Sequence, residues 1–276
     1  MILPMRMMAR GNSERVPDKN GRMFCGKPLI EWTFLCGKKA KYVGDMYLVT
    51  DSPYYAELAE RNGVTPIMQP EASCNFGKWG GPVADAMIYA YLVRNNLPHN
   101  WIIYGGTNAP LKRPIDMDGA IAYADKYHKH KSNLVEIIDL APMGSTGIYR
   151  DGGNQKVVEW IHSNLDKPPS RIMQHAGALG VTNWDVMQRT YDYDVLLYDD
   201  LDKGILKPEV LEGDPSWCAE LDNTGVRNFH PKMVAERETY FYQLPRWGGV
   251  DIDDIYDWNY CEWAFEKYIL NEGYYD

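Results

Sequence analysis

Over its first 140 residues the chain alternates short apolar runs with longer amphipathic stretches, and that alternation restricts the fold more than any other feature. Short apolar runs bounded by turn residues suit buried strands, and the amphipathic stretches suit helices that cover them. Residues 2–9, 45–50, 64–68, 101–104 and 134–140 are predicted strands. Residues 28–40, 54–62, 83–94 and 116–128 are predicted helices. Pro28 suits a first helical turn, and Gly63 suits the residue after a helix. Such a series makes an α/β fold, Rossmann-like, with a mostly parallel sheet flanked by helices. At 276 residues, the span 1–276 fits a single domain.

The rest of the chain breaks this rhythm. Asp151-Gly152-Gly153 is a turn signal and predicts a β-hairpin arm within about 141–175. Residues 191–240 are irregular and rich in Asp, Pro and Gly, which fits a lid, a dimer arm or a surface excursion. Residues 254–270 read as a final helix with an aromatic face. No apolar run approaches the roughly 20 residues of a membrane helix, so no membrane partner is expected. A net charge of -9 argues against nucleic acid, which needs a basic face to displace counterions. It leaves a nucleotide open, because a few local cations and a divalent metal can neutralise a triphosphate. Five scattered cysteines without a C-x-x-C pair read as reduced, buried thiols in a cytoplasmic protein.

The densest chemistry follows the first predicted strand: Arg10-Gly11-Asn12-Ser13-Glu14-Arg15-Val16-Pro17-Asp18-Lys19-Asn20. In an open α/β sheet, ligands bind at the carboxyl ends of strands. Gly11 allows close backbone approach, so that amides can face phosphate. Arg10, Arg15 and Lys19 are cations for phosphate, and the two arginines can fork onto it. Ser13 and Asn20 offer neutral hydrogen bonds. A solvated basic turn is the plainer reading; three cations, a glycine and two small polar groups within eleven residues weigh against it. The spacing is not that of a Walker loop. Near the other end, Asp251-Ile252-Asp253 places two carboxylates on one side of an extended segment, which suits Mg²⁺. Asp254 and Asp257 fit a helix start instead.

These residues carry a resemblance. Arg10-x-x-Ser13-x-Arg15-x-x-x-Lys19-Asn20, followed by Gly26-Lys27-Pro28-Leu29-Ile30, resembles the opening of the cytidylyltransferase family. CMP-N-acylneuraminate (sialic acid) synthetases belong to that family and CMP-Kdo synthetases are relatives. The likeness continues in order at Thr50-Asp51, Gln69-Pro70-Glu71, Asp85, the run from Pro110 through Lys112 to Asp116, Gly177-Ala178-Leu179, and Asp251 to Asp257. It implies a Mg²⁺-dependent transfer of CMP from CTP to an acidic sugar such as a nonulosonic acid, with release of pyrophosphate, by a homodimer. It implies catalytic roles for Arg10, Arg15 and Lys19, and nucleotide contacts by Gly11, Asn12, Ser13, Asn20, Gln69 and Asp85. It further implies sugar contacts by Asn108, Lys112 and Gly177, and metal binding by Asp251 and Asp253.

Three departures bear on specificity. The family's Gln-Pro-Thr-Ser is Gly106-Thr107-Asn108-Ala109 here, its Arg-Pro-Glu is Gln69-Pro70-Glu71, and its Asn-Gly-Ala is Ala176-Gly177-Ala178. Another base, or a sugar-1-phosphate, is the alternative on the same fold. A glycosyltransferase with an Asp-x-Asp metal site is a third reading, although that motif normally lies mid-domain.

Overall fold

The computed structural model describes residues 1–69, 80–127, 133–139, 173–183 and 239–275. The first strand, β1 (Leu3–Ala9), is followed by a two-strand hairpin, β2 (Met23–Phe24) and β3 (Lys27–Pro28). Then come α1 (Leu29–Lys39), β4 (Val43–Thr50), α2 (Pro53–Arg61), β5 (Thr65–Met68), α3 (Gly80–Arg94), β6 (Trp101–Gly105) and α4 (Pro114–Tyr127). The series closes with β7 (Asn133–Asp139), β8 (Met173–Asn183), β9 (Thr239–Gln243) and α5 (Ile255–Phe265).

Seven strands form one sheet in the order β5-β4-β1-β6-β8-β7-β9. All neighbours are parallel except that β8 runs against both β6 and β7. The mostly parallel sheet expected from the sequence is therefore present. Its central strands β1, β4 and β6 are largely buried, with packed helices on both faces. Met5 and Met7 of β1, Leu48 of β4 and Ile103 of β6 face a cluster completed by Phe34 of α1, Leu58 of α2 and Ile121 of α4. Tyr47, Val49 and Ile102 point the other way, onto Ala84, Ile88 and Leu92 of α3. This is the alternation of a pleated strand written into three neighbours.

Boundaries moved by a residue or two for local reasons. Pro28 is the N-cap of α1 rather than its first residue. Ser52 caps α2, its hydroxyl accepting from the Tyr55 amide at 3.4 Å, with Pro53 at the first helical position. Gly63, just beyond α2, has φ +63°, where a side chain would be strained. The final helix changes to a π-helical turn at Glu266–Leu270. β8 and β9 were not expected; they draw Met173 and Thr239 into the sheet from ranges assigned to the arm and the excursion. The rest of those two ranges, 141–172 and 191–238, lies outside the described residues. Among the described residues, no helix is long and apolar enough to cross a membrane.

Candidate active site

β1 has β4 on one side and β6 on the other, although β4 follows it directly and β6 comes later in the chain. A reversal of strand order of this kind marks where ligands bind at the carboxyl edge of an open α/β sheet. The cation loop, residues 10–20, leaves β1 there, and residues 106–112 leave β6. A third segment, residues 251–254, leads into α5. Each drives one apolar side chain into a shared cluster: Val16, Leu111 and Ile252 pack with Phe24, Trp32 and Trp258. Burial of these three anchors holds the polar neighbours in register above them.

The result is a cleft of about 210 Å³. Arg10, Ser13, Arg15, Lys19 and Asn20 line one side, Thr107 and Asn108 the other, and Asp253 closes it. The segments are also tied by hydrogen bonds. Arg15 Nη2 meets Asp253 Oδ1 at 2.9 Å, the Lys19 ammonium donates to the Ile252 carbonyl, and the Ile252 amide donates to the Asn108 carbonyl at 2.9 Å. The Thr107 hydroxyl donates to the Met8 carbonyl at 2.9 Å.

Within the cation loop, Asp18 adopts φ +49° and its carboxylate accepts from the buried Tyr55 hydroxyl at 2.6 Å. That contact fixes the turn from which Lys19 projects. Burial holds the Lys19 amine below its ordinary value, while Asp253 and Asp251 pull it back upward. Asn20 is almost fully buried, and its Oδ1 has no hydrogen-bond partner among the described residues. A buried acceptor in that state waits for a donor.

The Asp251–Asp253 pair is asymmetric. Asp253 is exposed, whereas Asp251 Oδ1 is shut off from solvent with no hydrogen-bond partner among the described residues. Burial, reinforced by Asp253, pushes the Asp251 carboxyl up to about 7, against the pull of Lys112 and Lys19. Asp254 and Asp257 act as the helix start expected of them. Asp254 accepts from the Tyr256 and Asp257 amides, and Asp257 accepts from those of Asp253 and Asp254.

An orphaned carboxylate oxygen beside a second carboxylate fits a hard divalent cation. Among the described residues no cluster of three or more His, Cys, Asp or Glu side chains could hold a metal. Mg²⁺ needs only one or two protein carboxylates, with phosphate and water completing its shell. The donor set matches that habit better than a zinc site.

Other sequence-derived assignments fall in different places. The Gly11 amide donates to Asp51 Oδ1 at 2.6 Å, so this donor is occupied by protein rather than free for phosphate. Asn12 is exposed beside it. Gln69 lies at the end of β5, its amide donating to the Thr50 carbonyl at 2.8 Å; its buried Nε2 has no partner among the described residues. Asp85 lies on α3, and its side chain is outside the described ones. Gly177 lies in β8 next to Ala178, whose carbonyl accepts from the Gly106 amide at 2.8 Å. Lys112, read as a sugar contact, is 1% exposed and bonded to Thr33, Gly106 and Ala109. Thr107 and Glu14 line the cleft without having been singled out, and Asp51 anchors the loop. Their place directly after strands was the available signal.

Residues 4–75 match the family model described as Cytidylyltransferase. A search of curated proteins gives no match. The fold is similar to a CMP:2-keto-3-deoxy-manno-octonic acid synthetase complexed with CTP, at 13% identity and TM-score 0.57, covering 97% of this chain and 99% of that one. It is also similar to a cytidylyltransferase from Leptospira borgpetersenii serovar Hardjo-bovis (strain JB197), at 13% identity and TM-score 0.56, covering 100% and 91%. Identity this low speaks to fold alone. The segment that holds the whole cation loop thus matches the cytidylyltransferase family, and the resemblance to a cytidylyltransferase-type nucleotidyltransferase is borne out in family model and fold.

Proposed function

We propose that the chain transfers CMP from CTP to a hydroxyl of an acidic sugar, releasing pyrophosphate, with Mg²⁺ as cofactor. The observation that carries this is the convergence of the cation loop, the β6 loop and Asp253 on one cleft at the switch point of the sheet. The family match over residues 4–75 supports the nucleotide class.

Arg10, Arg15 and Lys19 would grip the triphosphate and stabilise charge on the departing pyrophosphate. Such preorganised cations act where charge develops and need no rearrangement during reaction. Arg15 is exposed and, among the described residues, pairs with exposed Asp253, so it can swing onto phosphate at little cost. Ser13 and the orphaned Asn20 Oδ1 would orient the nucleotide. Asn108, on the facing wall, would meet the sugar, with Gly177 on the neighbouring strand β8. Holding both reactants in line is itself a large part of the acceleration. Asp251 and Asp253 would hold Mg²⁺, which when bound neutralises phosphate charge and acidifies the attacking hydroxyl.

Gln69 stands where the family carries an arginine, and its unpaired Nε2 offers an amide donor instead. That favours, as second reading, a base other than cytosine on the same fold. The proposal extends to a homodimer in the cytoplasm, the first part open to light scattering. Pyrophosphate release with each of four common nucleoside triphosphates, across a panel of acidic sugars and sugar-1-phosphates with Mg²⁺, tests the function. Release with CTP and an acidic sugar is the expected result. Release only with a purine triphosphate favours the second reading, and no release with any pair overturns both.

A further inference from the structure

Lys112 is a lysine with 1% of its surface exposed and no assigned role in the chemistry above. Its ammonium donates to Thr33 Oγ1 at 2.9 Å, to the Ala109 carbonyl at 2.7 Å and to the Gly106 carbonyl at 2.5 Å. A buried ammonium is tolerated only when its donors are met, and here three neutral oxygens meet them. Two of the three come from one turn, on either side of Thr107 and Asn108.

The same turn is also tied to neighbouring strands, by the Gly106 amide to the Ala178 carbonyl and by the Thr107 hydroxyl to the Met8 carbonyl. Gly105 and Gly106 precede it, and Gly105 is pressed so close to Met5 that a Cβ there would collide. Thr33, on α1, ties the ammonium to the helix beneath the sheet's carboxyl edge. From the turn, the Asn108 carbonyl accepts the Ile252 amide at 2.9 Å, and Ile252 is the residue between Asp251 and Asp253. Hydrogen bonds joined by the backbone of the β6 loop therefore link Lys112 to Ile252, the residue between the two carboxylates. The cation loop reaches the same pair separately, through Lys19 and Arg15.

We propose that Lys112 is a positioning residue: the β6 loop folds around its ammonium, and through the Asn108 carbonyl it sets Asp251 and Asp253 for a divalent cation. This replaces the sugar contact inferred from the sequence, and it rests on the reading of that pair as the metal site. The effect falls first on the metal half of the cleft: Lys19 and Arg15 touch residues 252 and 253, but their loop has its own anchors in Val16 and Tyr55.

The test is binding, measured on the whole chain with Mn²⁺ alone by electron paramagnetic resonance and with CTP alone by calorimetry. Loss of an outer-shell support weakens metal affinity about 10- to 100-fold. Lys112→Met should bind Mn²⁺ at least about tenfold more weakly than the unaltered chain while CTP affinity stays within about threefold. Mn²⁺ binding that is unchanged, or tighter because a nearby positive charge is gone, overturns the proposal. So does an equal weakening of Mn²⁺ and CTP. Should Lys112→Met fail to fold, Thr33→Val removes one acceptor and keeps the ammonium. A weakening of Mn²⁺ by about threefold then supports the proposal, and an unaltered value overturns it. An unaltered chain that binds no Mn²⁺ overturns the metal assignment and this proposal together; a change missing only in the variants overturns this one alone.

Discussion

Arg15 and Asp251 belong to opposite halves of one cleft and live in different surroundings. The Arg15 side chain is 69% exposed, and its ion-pair partner among the described residues, Asp253, is itself half exposed. Asp251 is partly buried, has an oxygen with no partner among the described residues, and holds its proton up to about 7. The cationic half is thus open and adjustable, its charges screened by water. The acidic half is fixed and electrostatically strained until a cation arrives. An account in which triphosphate and metal meet between them explains both conditions, since the loop must close on a ligand and the pair must be ready for one.

The contrast predicts effects of graded size. Asp251→Asn should cost the most, about 10³-fold in kcat/KM, because it removes one of the two carboxylates that would hold Mg²⁺ at the reacting phosphate. The same change should raise the melting temperature of the metal-free chain at neutral pH, since a buried carboxylate without a partner is unfavourable. The pH dependence has a definite sign. A carboxyl whose folded value is raised favours folding below its unfolded value near 4, and that advantage disappears as pH rises through about 7. Metal-free stability should therefore fall over that window, by at most about 4 kcal/mol, and Asp251→Asn should flatten the curve in denaturant titrations at several pH values.

Lys19→Ala should follow, with a loss of about 10²- to 10³-fold in turnover. Calorimetry should show weaker CTP binding as well, which separates it from Asp251→Asn. Ile252→Ala should act on stability first, by about 2–4 kcal/mol, because it hollows the cluster under both halves. Arg15→Ala should be the mildest: its ion pair contributes under about 1 kcal/mol to folding and should vanish in high salt. Any larger effect of Arg15→Ala on stability would break the contrast between an open half and a fixed one.

Much of this was legible in the sequence because its signals are local. Short apolar runs and amphipathic stretches specify the elements from β1 to α4 apart from the β2–β3 hairpin, and the crowding of Arg10, Arg15 and Lys19 marks the first loop without reference to anything distant. β8 was not legible: Ala176-Gly177-Ala178-Leu179-Gly180 carries small residues, so no alternation shows. Its register against β7 slips at that place, between the pairs Val135–Gly180 and Ile137–His175. The burial of Lys112 was not legible for a related reason. Its sugar contact came from the family resemblance, and only the fold reveals that Thr33, 79 positions away, supplies an acceptor. Gly11 was read as freeing an amide for phosphate, but the amide bonds Asp51, a partner that only sheet order brings near.

The central claim is that the cation loop and the acidic pair form one site rather than two. A double-mutant cycle of Lys19→Ala and Asp251→Asn, read by pyrophosphate release with CTP and Mg²⁺, tests it most directly. If the two halves act as a unit, the double variant should be little worse than the weaker single one. Losses that multiply in full would show two independent contributions and contradict the account.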